Sequence, residues 1–418
     1  MIKGVTEMLP VVLQDKPWML TFAIGEEECQ FRYESGGKPV LEGVWIDGIL
    51  QISALFTANE APLTLQGEAA CGDRIRVVYQ PWRMELYRND TILDEEWPFG
   101  TPLFADGTLV HCQSGLAMEQ IPAETEKPDT LGSFTGAEGW RPGGGVFVGD
   151  CMPFADGDRY HVLYLKDRHH HRSKWGKGAH QWEHISTKDL VHWDIHPMAV
   201  AIDDPMEGSV CTGSWICVGD RHQLYYTIRM SDGSAAPIRR SLSEDGFHYR
   251  KDRNFGFTLS DAYTGASARD PKVVRGEDGL MHMFVTTTDA ASHKGCLVHL
   301  ISADGEAWSE TGPIYTAPDR SEPECPDYIA YKGRYYLIFS LHGEGQYLIS
   351  EEPFTGWRVP RNPKIPCRSV PKAAVWHDRI IFAGFSGIDG YAGTMTFMEA
   401  VPDENGEFTY KPVAEMQG

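Results

Sequence analysis

Short apolar runs, rich in β-branched and aromatic residues, recur along the later two-thirds of the chain. Each of the first four precedes a serine, an acidic turn and an aromatic residue, and these serines are 57, 59 and 48 residues apart (Ser186, Ser243, Ser302 and Ser350). A fifth run begins at Arg379 and leads to a divergent turn. Such runs, joined by turns that often contain Asp-Gly, predict antiparallel strands in hairpins.

The repeat also predicts an architecture. A unit of four short strands that recurs at this period is typical of a β-propeller blade. Five units fill residues 136–418, so we predict an all-β chain whose second domain is a five-bladed propeller. Residues 1–135 lack the repeat and alternate apolar with polar positions, which predicts a β-sandwich domain. The glycine-rich stretch 132–145 marks the boundary between the two domains. For the repeated units, an irregular all-β sandwich is the alternative to a propeller.

Composition limits the classes of partner. The 418 residues carry a formal net charge of −21, which argues against nucleic acid or an anionic membrane surface, because phosphate binding needs local positive potential. No stretch approaches the ~20 apolar residues of a membrane span, and the first residues lack a signal-peptide pattern. Nine cysteines without a CxxC pair predict free thiols in a reducing compartment. We therefore predict a cytoplasmic protein acting on a small substrate, and leave its oligomeric state open.

Three acidic motifs directly precede predicted strands. They are Gly149-Asp150, Arg269-Asp270-Pro271 and Glu324-Cys325-Pro326-Asp327. Asp150 and Asp270 are 120 residues apart, and Asp270 and Glu324 are 54 residues apart. For blades of roughly 55 residues, we expect these carboxylates at equivalent positions of the first, third and fourth units, converging on the propeller axis.

Convergent carboxylates suit glycoside hydrolysis. Burial and neighbouring like charges raise the pKa values of acids, so one acid keeps its proton while another is ionised. Such a pair provides the proton donor and the nucleophile of glycoside cleavage. A turn or cap explains a single aspartate before a strand, but three acids together with Arg269 favour an active site.

Further motifs resemble a known family. The segment 179–193 looks like the signature of glycoside hydrolase family 32, the invertase, inulinase and levanase group. Thr212-Gly213-Ser214 and the motifs of Asp270 and Glu324 follow in the order of that family, and the resemblance covers residues 148–390. It implies a five-bladed propeller and retaining hydrolysis of small β-fructofuranosides through a covalent intermediate. It also implies that no metal or organic cofactor is needed.

The resemblance implies roles for the three acids. Asp150 falls on the nucleophile, Glu324 on the acid/base, and Asp270 on the carboxylate that binds sugar hydroxyls and stabilises the transition state. The residues themselves suggest the same division, because the charges of Asp150 and Asp270 favour a protonated Glu324. The residues expected to contact the substrate are Arg269, Trp175, His180, Trp182, Lys166, Asp167, Thr212 and Cys325.

Two features depart from the family pattern. The usual Asn-Asp-Pro-Asn-Gly motif is here Gly149-Asp150-Cys151-Met152-Pro153, which indicates a rebuilt pocket for the terminal sugar. The predicted sandwich also precedes the propeller, whereas the family usually carries it afterwards. The same fold acting on arabinofuranosides, xylosides or a fructosyl dianhydride is therefore one alternative. A carbohydrate-binding propeller without catalysis is another.

The basic loop 166–172 contains three consecutive histidines. Consecutive residues of a strand cannot all face one ion, so we do not predict a metal site. A rim of hydrogen-bond donors for a polar or anionic leaving group, or a solvated loop, explains the loop better. Trp175 and Trp182, which lie nearby in the sequence, are expected either to stack on a sugar or to pack in the core.

Overall fold

The computed structural model describes residues 13, 16–58, 61–80, 83–113, 115–122, 131–176 and 178–417. Within these ranges the helical segments are one short α-helix, α1 (Ser173–Gly176), and three 3-10 turns, Leu103–Asp106, Gly265–Ser267 and Ala414–Met416. All other regular structure is strand, which confirms the predicted all-β class. The chain divides into two compact units. The first comprises Met1–Pro128, Ser173–Gly176 and Asp203–Pro205, and the second comprises the remainder.

Ten strands build the described part of the first unit. They are β1 (Trp18–Ala23), β2 (Cys29–Ser35), β3 (Lys38–Ile46), β4 (Ile49–Ala54), β5 (Leu63–Glu68), β6 (Arg74–Gln80), β7 (Arg83–Arg88), β8 (Thr91–Glu96), β9 (Thr108–Cys112) and β10 (Ala117–Gln120). They form two antiparallel sheets, with strand orders β10-β1-β6-β7-β8 and β5-β4-β3-β2-β9. Alternate side chains, such as Trp18, Leu20 and Phe22 of β1, enter one hydrophobic core shared by both sheets, because successive residues of a strand face opposite sides.

Five consecutive groups of antiparallel strands build the second unit. The short strand β11 (Gly132–Thr135) is added at the outer edge of the first group, whose own strands in order are β12 (Phe147–Asp156), β13 (Arg159–Asp167), β14 (Gln181–Thr187) and β15 (His192–Val200). The second is β16 (Glu207–Val218), β17 (Arg221–Met230), β18 (Ile238–Ser243) and β19 (Arg250–Lys251). The third is β20 (Arg269–Arg275), β21 (Met281–Thr288), β22 (Gly295–Ser302) and β23 (Ser309–Thr316). The fourth is β24 (Glu324–Tyr331), β25 (Arg334–Leu341) and β26 (Glu344–Ser350), and the fifth is β27 (Ser369–Trp376), β28 (Arg379–Gly387), β29 (Gly393–Pro402) and β30 (Phe408–Lys411).

The first strands of successive groups contact one another. β12, β16, β20, β24 and β27 follow in that order, and β27 contacts β12 in turn. Strand β12 also pairs with β29 at Val148 and Gly393, which joins the last group to the first. Residues near the beginnings of these five strands are therefore brought close together from distant parts of the chain.

The repeated serine motif forms the turn between the third and fourth strands of a group. The Oγ of Ser302 accepts a hydrogen bond from the N–H of Gly305 at 2.9 Å. In the first group this role belongs to Thr187, whose Oγ1 accepts from the N–H of Leu190 at 2.9 Å, and not to the preceding Ser186. The repeat is thus one residue out of phase in the first group.

Strand β11 pairs with β15 of the second unit, although residues 132–135 precede the boundary drawn from the sequence. Phe134 of β11 stacks on Trp140 with ring centroids 4.0 Å apart, inside the glycine-rich stretch. That stretch therefore belongs to the second unit, because its aromatic side chains pack there.

In the described ranges, no helix has both the length and the apolar character needed to cross a membrane. The nine cysteines all carry free thiols.

Candidate active site

Each of the five first strands carries a β-bulge near its beginning. Two residues of the first strand lie opposite one residue of the second strand, which locally redirects the side chains. The bulged residues are Gly149 and Asp150, Cys211 and Thr212, Asp270 and Pro271, Cys325 and Pro326, and Val370 and Pro371. The candidate site is built on these bulges.

The three predicted acids do not occupy equivalent positions of the bulge. Glu324 is the last paired residue before it, Asp270 is its first residue, and Asp150 is its second residue. The prediction that the three acids lie at equivalent positions of their strand groups rested on spacing alone, and it is wrong. The backbone at Asp270 is left-handed (φ 59°), as it is at Cys325 (φ 51°), and such strain in residues other than glycine is often found at functional sites. The bulge thus brings three successive positions to one cavity.

Asp150 is held by three side chains. Thr212 Oγ1 donates to its Oδ2 at 2.6 Å, and the hydroxyl of Tyr391 donates to its Oδ1 at 2.9 Å. The thiol of Cys325 donates to Oδ2 at 3.4 Å. Burial and the charges of Asp150 and Asp270 raise the pKa of Cys325 well above its usual value, so its thiol keeps the proton it donates. Three donors hold the carboxylate in one orientation, which is the preorganisation a nucleophile needs.

Tyr391 is not predicted from the sequence, because it lies 241 residues after Asp150, in the turn between β28 and β29. The sequence feature that is connected with Tyr391 is Gly149. A Cβ atom on Gly149 would lie 2.5 Å from the Tyr391 hydroxyl and 3.1 Å from Cβ of Leu165. Any side chain at position 149 would therefore displace the hydroxyl from Asp150. The glycine that stands where the family motif has asparagine makes room for the tyrosine.

Asp270 is buried, with 3% of its surface exposed. The N–H of Cys325 donates to its Oδ2 at 3.0 Å, and Nε of Arg269 lies 3.7 Å from the same oxygen. Burial raises the pKa of Asp270 and the charge of Asp150 adds to this, while Arg269 opposes both. The carboxylate is thus shielded from bulk water and oriented towards the same cavity as Asp150.

Glu324 has a half-exposed side chain. Its Oε1 accepts a hydrogen bond from Nη2 of Arg269 at 3.1 Å, and Nη1 of the same guanidinium donates to Glu322 at 2.5 Å. The surrounding protein raises the pKa of Glu324 by desolvation, Asp270 and Asp150 raise it further, and Arg269 lowers it. A carboxyl with a raised pKa keeps its proton closer to neutral pH, as a general acid must.

A group of polar side chains borders the three acids. Asp167 accepts hydrogen bonds from Nε2 of His180 at 2.7 Å and from the N–H groups of His170 and His171 at 2.5 and 3.1 Å. Burial acts to raise the pKa of Asp167, but these hydrogen bonds outweigh it and lower the pKa. The ring of His171 stacks on Tyr391 at 4.0 Å, and desolvation by the surrounding protein together with His180 lowers the pKa of His171 to about 4. His171 is therefore neutral near pH 7.

Ligand atoms of Asp167, His171 and His180 all lie within 4.8 Å of one another, a grouping that a metal ion can also use. Hydrogen bonds already account for the proximity, because the oxygens of Asp167 accept three N–H donors. We therefore assign the group to shaping the cavity wall and derive no metal chemistry from it.

Several residues predicted to bind substrate lie elsewhere. Trp182 is fully buried and its Nε1 donates to the carbonyl of Cys211 at 2.9 Å, so its ring has no face to offer a sugar. Lys166 is also buried, with Nζ 3.7 Å from Oε1 of Glu183. Asp167 contacts His180 and lines neither of the two cavities described below. The side chain of Trp175 lies outside the described part of the structure.

Two adjoining cavities meet at Glu324. Cavity A, of about 310 Å³, is lined by the predicted residues Asp150, Asp270, Glu324, Arg269, Thr212, His180 and Cys325, and also by His171 and Tyr391. Cavity B, of about 380 Å³, is lined by Cys211, Arg229, Ala236, Ala266, Ser267, Ala268, Arg269, Glu322 and Glu324. The cavities share Cys211, Arg229, Arg269 and Glu324. Volumes of this size suit small-molecule ligands.

Comparisons with known proteins agree with these motifs. Residues 152–356 match the model of the glycosyl hydrolases family 32 N-terminal domain. The chain is 32% identical over 197 residues to sucrose-6-phosphate hydrolase of Bacillus subtilis, covering 44% of this chain and 40% of that protein. It is 27% identical over 299 residues to sucrose-6-phosphate hydrolase of Escherichia coli, covering 62% and 60%. Among solved structures, fructan 1-exohydrolase IIa from Cichorium intybus is similar, with a TM-score of 0.55 and 20% identity over 68% of this chain and 61% of that chain.

The all-β fold, the three carboxyl groups around one cavity and these matches together define the class of protein. Residues 152–356 match the N-terminal domain of glycosyl hydrolases family 32, the family that the motifs predicted. The chain spans less than two-thirds of the length of each of the relatives named above.

Proposed function

We propose that this protein is a retaining glycoside hydrolase that cleaves small β-fructofuranosides of the sucrose type. One observation carries the proposal: Asp150, Asp270 and Glu324 line a single cavity, in which donors fix Asp150 and the pKa of Glu324 is raised. The relatives named as sucrose-6-phosphate hydrolases support a sucrose-type substrate. Action in the cytoplasm stays a prediction from composition.

We also propose that the five strand groups are the blades of a five-bladed propeller. The cyclic contacts of β12, β16, β20, β24 and β27 support this arrangement. The two sheets of the first unit, with their common core, support a leading β-sandwich domain. Because β11 pairs with β15, the propeller domain would begin upstream of residue 132.

The proposed reaction has two steps. First, an oxygen of Asp150 bonds to the anomeric carbon of the fructosyl unit while the glycosidic bond breaks, and Glu324 gives its proton to the leaving oxygen. Second, Glu324 takes a proton from water, the water oxygen bonds to the anomeric carbon, and the bond to Asp150 breaks. Asp270 would bind sugar hydroxyls and stabilise the positive charge that develops on the sugar in both transition states.

Substrate screening with product analysis tests this function. The purified protein would be assayed with sucrose, 1-kestose, inulin and levan oligosaccharides from pH 4 to 8, and proton NMR would follow the anomer first released. We expect fructose with retained configuration. Aryl arabinofuranosides, aryl xylosides and a difructose dianhydride cover the alternatives, which the rebuilt motif at Gly149 motivates. Release of no sugar from any of these compounds would leave only a binding role.

Replacing Tyr391 by phenylalanine should lower kcat/KM by about 10- to 100-fold. The change keeps the ring that stacks on His171 but removes the donor to Asp150. A hydrogen bond to a charged group is worth about 1.5–3 kcal/mol, which sets this range. We expect the loss in kcat more than in KM, because the orientation of Asp150 matters most in the transition state.

Tyr160→Phe is the matched control for this prediction. It removes a buried hydroxyl that donates to the carbonyl of Ile381 at 3.3 Å and does not contact Asp150. The control should keep kcat/KM near that of the wild type. An equal effect of both variants would reduce the role of Tyr391 to packing.

Replacing Arg269 by glutamine should move the alkaline limb of the pH profile to higher pH. Activity requires a protonated Glu324, so it is lost as pH rises through the pKa of that residue. Arg269 lowers this pKa, and its removal therefore extends the active range upward while kcat/KM at the optimum falls. Profiles of kcat/KM against pH test the shift, with Arg275→Gln on the same strand as the control. A limb that stays in place or moves to lower pH would contradict the assignment of Glu324.

A further inference from the structure

Three charged side chains form a cluster on the first strands of the third, fourth and fifth groups. Lys272 stands on the same strand as Asp270 (β20), and Asp327 stands on the same strand as Glu324 (β24). Lys372 comes directly after the bulge of β27. Asp327 is fully buried and Lys372 is 2% exposed, so this cluster lies in the interior, close to the acids of the site.

The two lysines of the cluster differ in their ion pairing. Nζ of Lys272 lies 2.5 Å from Oδ1 of Asp327, whose other oxygen accepts a hydrogen bond from the N–H of Ala373 at 2.7 Å. Nζ of Lys372 donates to the carbonyl of Gly213 at 2.8 Å, and no carboxylate of the described residues lies within ion-pairing distance of it. Lys372 therefore carries the one positive charge of the cluster that no ion pair balances.

A buried ammonium with no carboxylate partner is unfavourable for folding. One neutral carbonyl compensates only part of the hydration that the charge loses on burial. Burial lowers the pKa of Lys372, and Lys272 adds to this, while Asp327, Cys325 and Asp270 favour the protonated form. An apolar side chain would fill the same space without this cost. A lysine here therefore indicates a role for its charge or its donor group.

The donor group of Lys372 leads to the proposed nucleophile. The carbonyl that accepts its hydrogen bond belongs to Gly213, and the preceding residue is Thr212. Thr212 Oγ1 donates to Oδ2 of Asp150 at 2.6 Å. Lys372 thus ties β27 to β16 at the point where β16 supplies a donor to Asp150.

The charge of Lys372 leads to Asp270. Burial raises the pKa of Asp270 and Arg269 lowers it, and the positive charge of Lys372 lowers it further. Arg269 shares its charge with Glu322 and Glu324, whereas Lys372 is paired with no carboxylate. The titratable and charged groups around Asp270 are Arg269 on its own strand, Asp150 on β12, Cys211 on β16, Arg229 on β17, Glu324 and Cys325 on β24, and Lys372 on β27.

We propose that Lys372 is a positioning residue of the active site, which holds the Thr212 donor on Asp150 and keeps Asp270 ionised. The inference rests on the proposed function, because it takes Asp150 and Asp270 as the carboxylates that act on the sugar. Lys372 lines neither cavity, so its effect passes through these residues.

The pH profile of Lys372→Met tests the role of the charge. Asp270 acts in its ionised form, so activity is lost as pH falls through its pKa. Removal of Lys372 raises that pKa, and the acidic limb of kcat/KM for sucrose should move to higher pH by about one unit, the lower end of what a nearby opposite charge produces. The control Lys332→Met changes an exposed lysine that pairs with Asp378 and should leave the limb in place. A limb that does not move would overturn the electrostatic role.

A double-mutant cycle with Thr212→Val tests the role of the donor. At the pH optimum, Lys372→Met should lower kcat by about 10-fold with little change in KM, because the carbonyl of Gly213 loses its donor. If Lys372 acts through Thr212, the double variant loses less than the product of the two single losses. Losses that multiply would overturn this part of the inference.

Carbon-13 NMR separates the inference from the proposed function. In protein labelled at the aspartate carboxyl carbons, the resonance that disappears in Asp270→Asn belongs to Asp270. Its titration should move to higher pH by about one unit in Lys372→Gln, whether or not a fructoside is cleaved. If it moves and no sugar is released, the electrostatic role stands and the hydrolase does not. If it stays while sucrose is cleaved, or if neither Lys372→Met nor Lys372→Gln folds, Lys372 is a structural residue and the inference is wrong.

Discussion

Replacing Glu324 by alanine should lower kcat/KM for sucrose by a factor of ~10²–10⁴, the usual contribution of a positioned proton donor. The alkoxide leaving group of sucrose is poor, and under the proposed mechanism it needs the proton that Glu324 would supply. An aryl fructoside with an activated leaving group needs it less and should lose less. Added azide should restore part of the turnover of that aryl substrate, because the small anion attacks the fructosyl–enzyme in place of activated water.

Steady-state kinetics with both substrates, with and without azide, measure these effects. Glu344→Ala is a suitable control, because Glu344 lies exposed at the beginning of β26, pairs with Lys364 and lines neither cavity. If Glu324→Ala keeps nearly full activity on sucrose and azide changes nothing, Glu324 is not the acid/base.

Replacing Asp150 by asparagine should have the largest effect, a loss on the order of 10⁴–10⁶-fold in kcat/KM. The substitution is nearly isosteric and can keep the hydrogen bonds of Thr212 or Tyr391 to the side-chain oxygen. Under the proposed mechanism it removes the negative charge that attacks the anomeric carbon, so no covalent intermediate would form. Azide cannot rescue this variant in the way it rescues Glu324→Ala, because the first bond-forming step is lost.

Calorimetry with sucrose or 1-kestose checks that the Asp150→Asn protein still binds sugar. The control Asp158→Asn changes an exposed aspartate that pairs with Lys188 and should leave kcat/KM unaltered. A residual activity above one-tenth of the wild type in Asp150→Asn would exclude a nucleophilic role for Asp150.

The sequence predicted the strand content because periodicity is a local property. Runs of two-fold alternation and hairpin turns depend on neighbouring residues only, and the Ser302 turn illustrates how a short motif specifies its own hydrogen bonds. Strands β12, β20 and β24 contain the three acidic motifs, which the sequence predicted to lie directly before strands.

The identity of the candidate site residues and the way they reach the cavity differ in how far a sequence can predict them. Asp150, Asp270 and Glu324 line one cavity, but they occupy three successive positions around the bulge. The spacing of the motifs cannot reveal this difference, because a bulge adds one residue to a strand without changing the composition. Trp182 pointed into the core because a strand offers two faces, and sequence alone did not indicate which face was inward. Tyr391 was missed because long-range hydrogen bonds leave no trace in the nearby sequence.

The close approach of Gly149 and Tyr391 constrains how this active site can change over generations. A mutation that restores asparagine at position 149 would collide with the tyrosine, and loss of the tyrosine alone would leave Asp150 with one donor fewer. Under the proposed mechanism either single change would weaken catalysis, so exchanging one arrangement for the other requires both substitutions. We expect natural sequences of this branch to carry glycine and tyrosine together, and laboratory ancestors with asparagine to require both substitutions at once.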